Sequence, residues 1–153
     1  MPAPKRKTYR RIAVRHSYIH GKGVFATACI PKGTRIVEYK GKRISEDAAD
    51  EKYGDDASPH TFLFLLDNQI VIDANHDGNS ARWINHSCAP NCETNEEDGR
   101  MFVDAIRDIQ PGEELTYDYN LTIEERYTPA LKRFYACGCG TRKCRGTLLA
   151  SER

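Results

Sequence analysis

Three cysteines crowd the C-terminal end of this sequence and constrain its fold more than any other feature. Cys137, Cys139 and Cys144 lie in one short run with glycines between and after them. Thiols so closely spaced are better placed to share one ion than to form disulfides, and glycines let the backbone wrap that ion. Because structural zinc sites are tetrahedral, these thiols predict a zinc site whose fourth ligand comes from elsewhere in the chain.

Three further cysteines are available to complete such a site. Cys88 and Cys92 both lie in a turn that contains Pro90, and either could supply the fourth thiolate. Cys29 lies within a strand pattern and is expected to be a thiol of the hydrophobic core. The competing interpretation is that the cysteines are free or disulfide-bonded. The density of the cluster and the lack of a secretory signal favour zinc.

The composition is that of an ordinary globular domain. The chain has 153 residues, of which 39% are hydrophobic and 29% charged, and its formal net charge is +1. That length suffices for a hydrophobic core without a metal, and so small a net charge does not mark a nucleic-acid binder. No apolar run reaches the length of a membrane span. We expect a cytoplasmic or nuclear protein with no membrane association; a specialised route of export to a host cell would leave no mark in a sequence.

The first eleven residues are strongly basic. We interpret residues 1–11 as a solvated, disordered tail, and the alternative is a contact with an acidic partner such as nucleic acid. The charges that define this tail are Lys5, Arg6, Lys7, Arg10 and Arg11.

Short apolar patterns separated by turn signals predict a mainly β fold with minor α. Strands are expected at residues 12–16, 23–29, 34–44 with a bend at Gly41, 62–66, 69–72, 92–96, 100–106 and 115–119. Residues 62–72 and 92–106 are each expected to form a hairpin. A helix through Tyr53 is expected after an N-cap at Ser45, and a second, over residues 129–135, after an N-cap at Thr128.

Three segments have both a chemical and a purely structural interpretation. His20-Gly21-Lys22-Gly23 lets the backbone approach a ligand closely, but such a motif is usually a tight turn. Asn85-His86 can hydrogen-bond a ligand or can form a turn with a satisfied histidine. Tyr117 and Tyr119 lie two residues apart on one face of a strand, where they can line a narrow aromatic channel or simply pack.

Together and in this order, these segments resemble the SET-domain family over about residues 12–149. The resemblance implies small curved sheets with a knot-like crossing and a C-terminal zinc-bound post-SET loop. It divides the chain into a basic tail of residues 1–11, a SET domain of residues 12–128, and a post-SET helix and zinc-binding segment of residues 129–153. The motifs that carry it are His20-Gly21-Lys22-Gly23, Glu38-Tyr39-Lys40-Gly41, Asp73-Ala74, Gly78-Asn79, Arg82-Trp83-Ile84-Asn85-His86-Ser87-Cys88, Glu113-Glu114-Leu115-Thr116-Tyr117-Asp118-Tyr119, and Cys137, Cys139 and Cys144.

The resemblance implies an S-adenosylmethionine-dependent protein-lysine N-methyltransferase that acts on a histone or another basic protein tail. In this family a lysine amine attacks the sulfonium methyl in line, so positioning supplies much of the rate. By position Tyr119 resembles the catalytic tyrosine, Tyr117 the residue that limits how many methyl groups fit, and Tyr39 a channel wall. A mono- or dimethylated product is therefore expected. The resemblance also makes Cys88 the fourth zinc ligand and leaves Cys92 free.

The same resemblance assigns the cofactor contacts. Asn85 and His86 would hold the adenine and amino-acid parts of the cofactor. Two positions depart from the family pattern, because Trp83 stands where phenylalanine or tyrosine is usual and Phe62 where a cofactor-contacting tyrosine is common. No cysteine-rich pre-SET segment is expected, so residues 12–16 would cover that edge. The full set of cofactor contacts implied is His20, Gly21, Lys22, Phe62, Arg82, Asn85, His86 and Tyr119.

A non-catalytic, zinc-stapled module that binds a peptide or nucleic acid is the alternative. The intact Asn85-His86 and Tyr117-Asp118-Tyr119 set favours the enzyme, whereas only the basic tail favours the module. The sequence names neither the target lysine nor the oligomeric state.

Overall fold

The computed structural model describes residues 11–53, 62–66, 68–119 and 127–150. The basic tail lies outside these residues, apart from Arg11. In the ranges described, no helix is long and apolar enough to cross a membrane. The elements in chain order are β1 (Ile12–His16), β2 (Lys22–Ala26), β3 (Arg35–Tyr39), β4 (Lys42–Ser45), α1 (Glu46–Tyr53), β5 (Leu63–Leu65), β6 (Ile70–Asp73), a 3₁₀ turn (Ser80–Trp83), β7 (Asn85–His86), β8 (Cys92–Glu97), β9 (Arg100–Ala105), β10 (Thr116–Tyr117) and α2 (Pro129–Phe134).

The strands form small sheets, which confirms the predicted mainly β fold. β1 pairs with β2, β3 and β8 flank β9, and β4 and β5 flank β6, all in antiparallel pairs. Both predicted hairpins are present, as β5–β6 and β8–β9. β7 and β10 pair in parallel, with Thr116 opposite Asn85 and Tyr117 opposite His86. This parallel pair joins two of the predicted site segments; the predicted knot-like crossing of the chain stays a prediction.

The single strand expected over residues 34–44 is two strands in different sheets. β3 pairs with β9, whereas β4 pairs with β6, and the chain breaks at the predicted bend around Gly41. A side chain at Gly41 would place its Cβ 2.6 Å from the carbonyl oxygen of Asp73, so the backbones approach each other too closely for any other residue. The strand expected over residues 115–119 is likewise shorter, since only Thr116–Tyr117 form a ladder.

The hydrophobic core corrects the prediction for Cys29. β2 ends at Ala26, and the chain then turns outward, leaving Cys29 exposed. The cysteine of the core is Cys92, which is 1% exposed. Burial raises the pKa of the Cys92 thiol to about 12, so this thiol is neutral at physiological pH. Cys92 is thus a packing residue.

The two helices are short and begin at the predicted caps. The Ser45 hydroxyl accepts a hydrogen bond from the amide of Ala48 at 3.1 Å, and the Thr128 hydroxyl accepts one from Leu131 at 3.1 Å. α2 ends at Phe134, one residue before the predicted end, and none of its residues is buried. Tertiary packing therefore contributes little to the order of α2.

The β3-β9-β8 sheet carries surface ion pairs away from the predicted site. The Arg100 guanidinium lies 2.7 Å from the Glu38 carboxylate, and Arg35 lies 2.9 Å from Asp104. Arg35 also pairs with Glu97. Exposed pairs of this kind contribute about 0–1 kcal/mol each, so they serve below as controls.

Candidate active site and thiol centre

A buried asparagine holds the loop between β1 and β2. The side-chain nitrogen of Asn85 lies 3.2 Å from the carbonyl oxygen of His20 and 2.9 Å from that of Lys22. It also lies 3.1 Å from the Ser17 hydroxyl and 2.8 Å from the Glu114 carboxylate. One amide group has two hydrogens, and four acceptor oxygens surround it. The pocket is therefore rich in acceptors and can accommodate a further hydrogen-bond donor.

Glu114 and Ser17 complete this pocket, although sequence reasoning gave neither a role. The Ser17 hydroxyl lies 2.7 Å and 2.9 Å from the two carboxylate oxygens of Glu114. A Cβ at Gly23 would lie 2.3 Å from a Glu114 oxygen, so the glycine leaves space for the carboxylate in its present position against β2. The glycine motif thus makes room for an internal carboxylate. The position of Glu114 shortly before Tyr117 and Tyr119 is the sequence signal that indicates a place near the site.

The three predicted tyrosines come together in one aromatic cluster. Ring centroids are 5.0 Å apart for Tyr117 and Tyr119, and Phe64 links Tyr117 at 6.5 Å to Tyr39 at 5.3 Å. Burial raises the pKa of all three tyrosine hydroxyls above the ordinary value, so they stay protonated at physiological pH. Phe64 was missed as a member, and its place on the short β5 strand gave little periodicity to reveal it.

The hydroxyl of Tyr119 is attached to the segment that carries Asn85. It donates a hydrogen bond of 2.5 Å to the carbonyl oxygen of Ile84, the residue before Asn85. The β7–β10 pair runs alongside this contact. The aromatic cluster and the acceptor-rich pocket are therefore held together by short hydrogen bonds across two short strands.

Both ring nitrogens of His86 are engaged by the protein. Nδ1 accepts a hydrogen bond of 3.0 Å from the backbone amide of Tyr119. In the neutral ring the proton then lies on Nε2, which is 3.3 Å from the Cys88 sulfur. Burial lowers the pKa of His86 to about 4, against the opposing effect of Asp118. His86 is thus a neutral imidazole that connects the tyrosine strand to a thiol.

Four thiols converge at the C-terminal segment. The sulfurs of Cys88, Cys137, Cys139 and Cys144 all lie within 4.8 Å of one another, and Cys88 and Cys137 are 3.9 Å apart. A tetrahedral zinc with Zn–S bonds of about 2.3 Å requires sulfurs about 3.8 Å apart, so the spacing fits this ion. Cys92 lies in the core and does not belong to the cluster.

The surroundings of the thiols also suit a cation. Backbone amides lie 3.3–3.4 Å from the sulfurs of Cys88, Cys137 and Cys144, which helps to stabilise thiolates. Burial raises the pKa of Cys88 and Cys137. At Cys139 burial also raises the pKa, but hydrogen bonds involving Cys88 and Thr141 outweigh it and lower the pKa to about 6. A positive ion between the four sulfurs would stabilise their thiolate forms together.

An ion pair links the thiol segment to the tyrosine strand. The Arg145 guanidinium makes two bonds to the Asp118 carboxylate, of 2.8 Å and 3.1 Å. The hydrogen bonds to Asp118 raise the pKa of Arg145 further above its ordinary value. The backbone amide of Arg145 donates to the Cys88 sulfur at 3.3 Å. Neither Asp118 nor Arg145 was predicted to be a site residue.

A cleft lies between the loop that follows β1, the β7 strand and the thiol segment. Two predicted cofactor residues besides His20, namely Asn85 and His86, contribute to its walls. The C-terminal segment supplies the opposite side. The residues lining the cleft are Ile19, His20, Asn85, His86, Ala136, Cys137, Gly138 and Leu148.

The remaining predicted cofactor side chains gather around Trp83. The Lys22 ammonium lies 4.9 Å and the Arg82 guanidinium 4.6 Å from the indole centroid. The Phe62 ring meets the Trp83 ring edge-on, with centroids 5.0 Å apart. Gly21 adopts a left-handed backbone conformation, with φ of 42°. These side chains form a cation–aromatic cluster, whereas the cleft itself is lined by His20, Asn85 and His86 among the residues predicted for the cofactor.

Comparison with known proteins gives a consistent result. The family model described as "SET domain" matches residues 21–120. Histone-lysine N-methyltransferase trithorax of Drosophila virilis is 37% identical over 147 residues, which cover 92% of this chain and 4% of that protein. Histone-lysine N-methyltransferase, H3 lysine-4 specific, of Schizosaccharomyces pombe is 40% identical over 139 residues, which cover 86% and 14%. Human histone-lysine N-methyltransferase 2B is 37% identical over 147 residues, which cover 92% and 5%. The chain thus spans a small part of each of these relatives.

Proposed function

Because this chain belongs to the SET-domain family, we propose that it is a protein-lysine N-methyltransferase that uses S-adenosylmethionine. The observation that carries the proposal is the parallel β7–β10 pair, which sets the buried Tyr117 beside an acceptor-rich pocket, with the partly buried Tyr119 two residues further along the chain. Methyl transfer needs two reactants to meet end to end, and such a site has one compartment for each.

The pocket around Asn85 supports binding of the amino-acid part of the cofactor. The carbonyl oxygens of His20 and Lys22, together with Glu114, present acceptors and negative charge to an ammonium group. The cleft beside Cys137 and Leu148 suits the apolar face of an adenine ring. Since both His86 nitrogens are engaged, His86 would contact the cofactor through its backbone or ring face. When bound, the cofactor supplies an electrophilic sulfonium methyl group.

The tyrosine cluster supports binding of a lysine side chain. Tyr39, Phe64 and Tyr117 offer an apolar wall, and burial in such a wall lowers the pKa of a lysine amine so that its lone pair becomes available. The tyrosines themselves are poor bases, because their raised pKa values keep them protonated. The amine therefore loses its proton to solvent before it enters the site.

Two hydroxyl groups take different roles in this proposal. Tyr119, fixed by its bond to Ile84, orients the amine and the transferring methyl group. Tyr117 is 6% exposed, and its hydroxyl occupies space beside the amine. Less room then remains for an amine that already carries methyl groups, and mono- or dimethyl-lysine follows as the product.

The thiol centre supports a structural role for zinc. Cys88, Cys137, Cys139 and Cys144 would hold the ion with no position left for a substrate, as in closed structural sites. Cys137 also lines the cleft, so the ion would fix one wall of it. This arrangement agrees with the proposed post-SET segment over residues 129–153 and a SET domain over residues 12–128.

Histone tails are the proposed substrate class. The relatives reported above carry histone-lysine methyltransferase names, and one is named for lysine 4 of histone H3. A nuclear location would accompany that substrate. The alternative of a non-catalytic binding module depends on the basic tail, which lies outside the described residues apart from Arg11.

The test is mass spectrometry of core histones after incubation with the purified, zinc-loaded protein and S-adenosylmethionine. We expect mass increases of one or two methyl groups on lysine, and none when the cofactor is omitted. A parallel incubation with a mixture of non-histone proteins checks the substrate class. Absence of methylation on every protein offered, with cofactor bound and zinc present, would contradict the proposed activity.

A further inference from the structure

An ion pair behind the tyrosine strand has no role in the chemistry proposed above. Arg145 and Asp118 meet through two nearly parallel bonds, of 2.8 Å and 3.1 Å, and both side chains are partly buried at 23% and 34% exposure. A two-point contact between planar groups fixes orientation as well as distance, which a single lysine–carboxylate bond does not. The geometry of this pair is therefore restrictive.

The two partners connect the tyrosines to the thiol cluster. Asp118 lies between Tyr117 and Tyr119, whose rings are 5.0 Å apart. Arg145 directly follows the thiol Cys144 in the chain, and its backbone amide donates to the Cys88 sulfur at 3.3 Å. A rotation of the thiol segment would therefore pull on residues 117–119, the end of β10 and the two residues after it, which carry both tyrosines.

A second connection ends at the same sulfur. The Tyr119 amide donates to Nδ1 of His86, and Nε2 of His86 lies 3.3 Å from the Cys88 sulfur. Tyr119 is thus attached to Cys88 through His86, while Asp118 is attached to the Cys88 sulfur through Arg145. The two connections therefore join the neighbouring residues Asp118 and Tyr119 to the same sulfur.

The pair is unlike a simple surface contact in one further respect. Within the part of the chain that the structure describes, Nε of Arg145 is buried and has no hydrogen-bond partner. An unpaired buried donor is unfavourable, so the arginine is not optimally placed for stability alone. The surface pair Arg100–Glu38 has a 2.7 Å contact but a much more exposed arginine, at 56% exposure.

We propose that Arg145 and Asp118 are positioning residues, which hold Tyr119 in its orientation in the aromatic cluster and make the geometry of the active site depend on the folded thiol segment. This inference rests on the proposed methyltransferase function. It differs from a purely structural role in its consequences for catalysis. If the pair were purely structural, its loss would change only stability and metal retention. Loss of a positioning pair lowers kcat at constant zinc content.

The test is a double-mutant cycle on the zinc-loaded protein with Arg145→Gln, Asp118→Asn and the double variant. We expect each single variant to keep its zinc and lose about 10- to 100-fold in kcat, with a smaller change in KM for the peptide. The double variant should lose no more than the singles, because the pair acts as a unit. Arg145→Lys keeps the charge but not the fork, so it should recover only part of the loss. Arg100→Gln, which breaks the surface pair, should retain the wild-type kcat.

Two results would overturn the proposal. One is a wild-type kcat in the folded Asp118→Asn variant, whose side chain is nearly the same shape. The other is a double variant whose loss equals the product of the single losses.

Hydrogen exchange separates this inference from the proposed function. The Tyr119 amide, bonded to His86, should exchange faster in Arg145→Gln than in wild type or in Arg100→Gln, whether or not any substrate is methylated. If the wild-type protein is inactive but Arg145→Gln still exchanges faster than wild type, the proposed function is refuted and the coupling is supported. Exchange of the Tyr119 amide in Arg145→Gln at the wild-type rate would refute the coupling.

Discussion

The two sides of the cleft are ordered in different ways. Asn85 and His86 lie on β7, are 5% and 2% exposed, and sit against the hydrophobic core. The opposite side follows α2, which buries no residue, and contains a β-bridge between Ala136 and Thr147. Leu148, which lines the cleft from this side, is 4% exposed. Packing orders the first side, whereas the second combines a few buried residues near its end with thiol and charge contacts. A site of this kind can lose one wall while the other keeps its geometry.

The largest effect is expected from a change that disorders the thiol side of the cleft and leaves the packed side intact. Cys139→Ser removes one thiol, and we expect the protein to lose its zinc and its methyltransferase activity. Structural zinc contributes about 10–16 kcal/mol of apparent binding free energy in small domains, so the C-terminal segment should unfold. Elemental analysis measures the zinc, and hydrogen exchange should show faster exchange in residues 129–149 but not in β3 and β9.

Other cysteines provide the controls for this experiment. Cys29→Ser changes an exposed thiol outside the cluster and should keep both zinc and activity. Cys88→Ser should lose the metal, whereas Cys92→Ala should retain it and lower the melting temperature through a cavity in the core. Zinc retained in Cys88→Ser but lost in Cys92→Ala would identify Cys92 as the fourth ligand in place of Cys88. Equal exchange increases in β3 and β9 would show that the two sides are not separable.

The next largest effect is expected at Tyr119, where one hydroxyl group is removed without a change of fold. Tyr119→Phe removes the hydroxyl bonded to Ile84 and keeps the ring, so folding and zinc content should be preserved. If this hydroxyl acts like a preorganised transition-state donor, kcat should fall by about 10²-fold or more. The measurement is a time course of peptide methylation by mass spectrometry. Full activity in a folded variant would remove Tyr119 from the catalytic role.

A smaller effect is expected at the floor of the pocket. S-adenosylmethionine should raise the melting temperature of the wild type, because it binds the folded state alone. Asn85→Ala should remove most of that shift, since an unsatisfied buried polar group costs about 1–3 kcal/mol. Scanning calorimetry with and without cofactor is the measurement, and the matched control is Asn95→Ala on the β8 surface. A wild-type shift in Asn85→Ala would exclude the pocket as the cofactor site.

The smallest effect concerns product distribution and not rate. Tyr117→Phe makes the same chemical change as Tyr119→Phe two residues away, but it should increase the share of di- and trimethyl-lysine while turnover continues. The removed hydroxyl leaves room for a methylated amine to rotate into line. Mass spectra of the peptide products measure the shift. Trimethyl-lysine as the main wild-type product would contradict Tyr117 as a limit on size.

Local patterns predicted the fold class and the hairpins correctly, because periodicity and turn residues act over a few positions. They failed where distant backbones meet. One strand with a bend at Gly41 was expected, but the close approach of the Asp73 carbonyl accompanies a division into two strands of different sheets. Cys29 was expected in the core for a related reason, since its strand pattern does not reveal that β2 ends at Ala26. The core thiol is Cys92, for which no burial was predicted.

The site was predicted mainly through its resemblance to a family and less from spacing. Spacing grouped Cys137, Cys139 and Cys144 but left Cys88 and Cys92 equivalent, and only the fold brings Cys88 to the cluster. The acceptors around Asn85 could not be inferred locally, because Glu114 and Ser17 are far apart in the chain. The roles of the tyrosines and of the cofactor residues stay predictions, which the experiments above test.

The bond between Ser17 and Glu114 has a consequence for how the protein is made. These residues are 97 positions apart, and Asn85, between them, bonds to both. Contacts of such sequence separation form slowly, after local hairpins such as β8–β9. A growing chain on the ribosome cannot close the pocket until Glu114 has emerged, nor its outer wall until Cys144 follows. Cofactor binding would therefore report that synthesis of the domain is complete, because fragments that end before Glu114 lack a finished pocket.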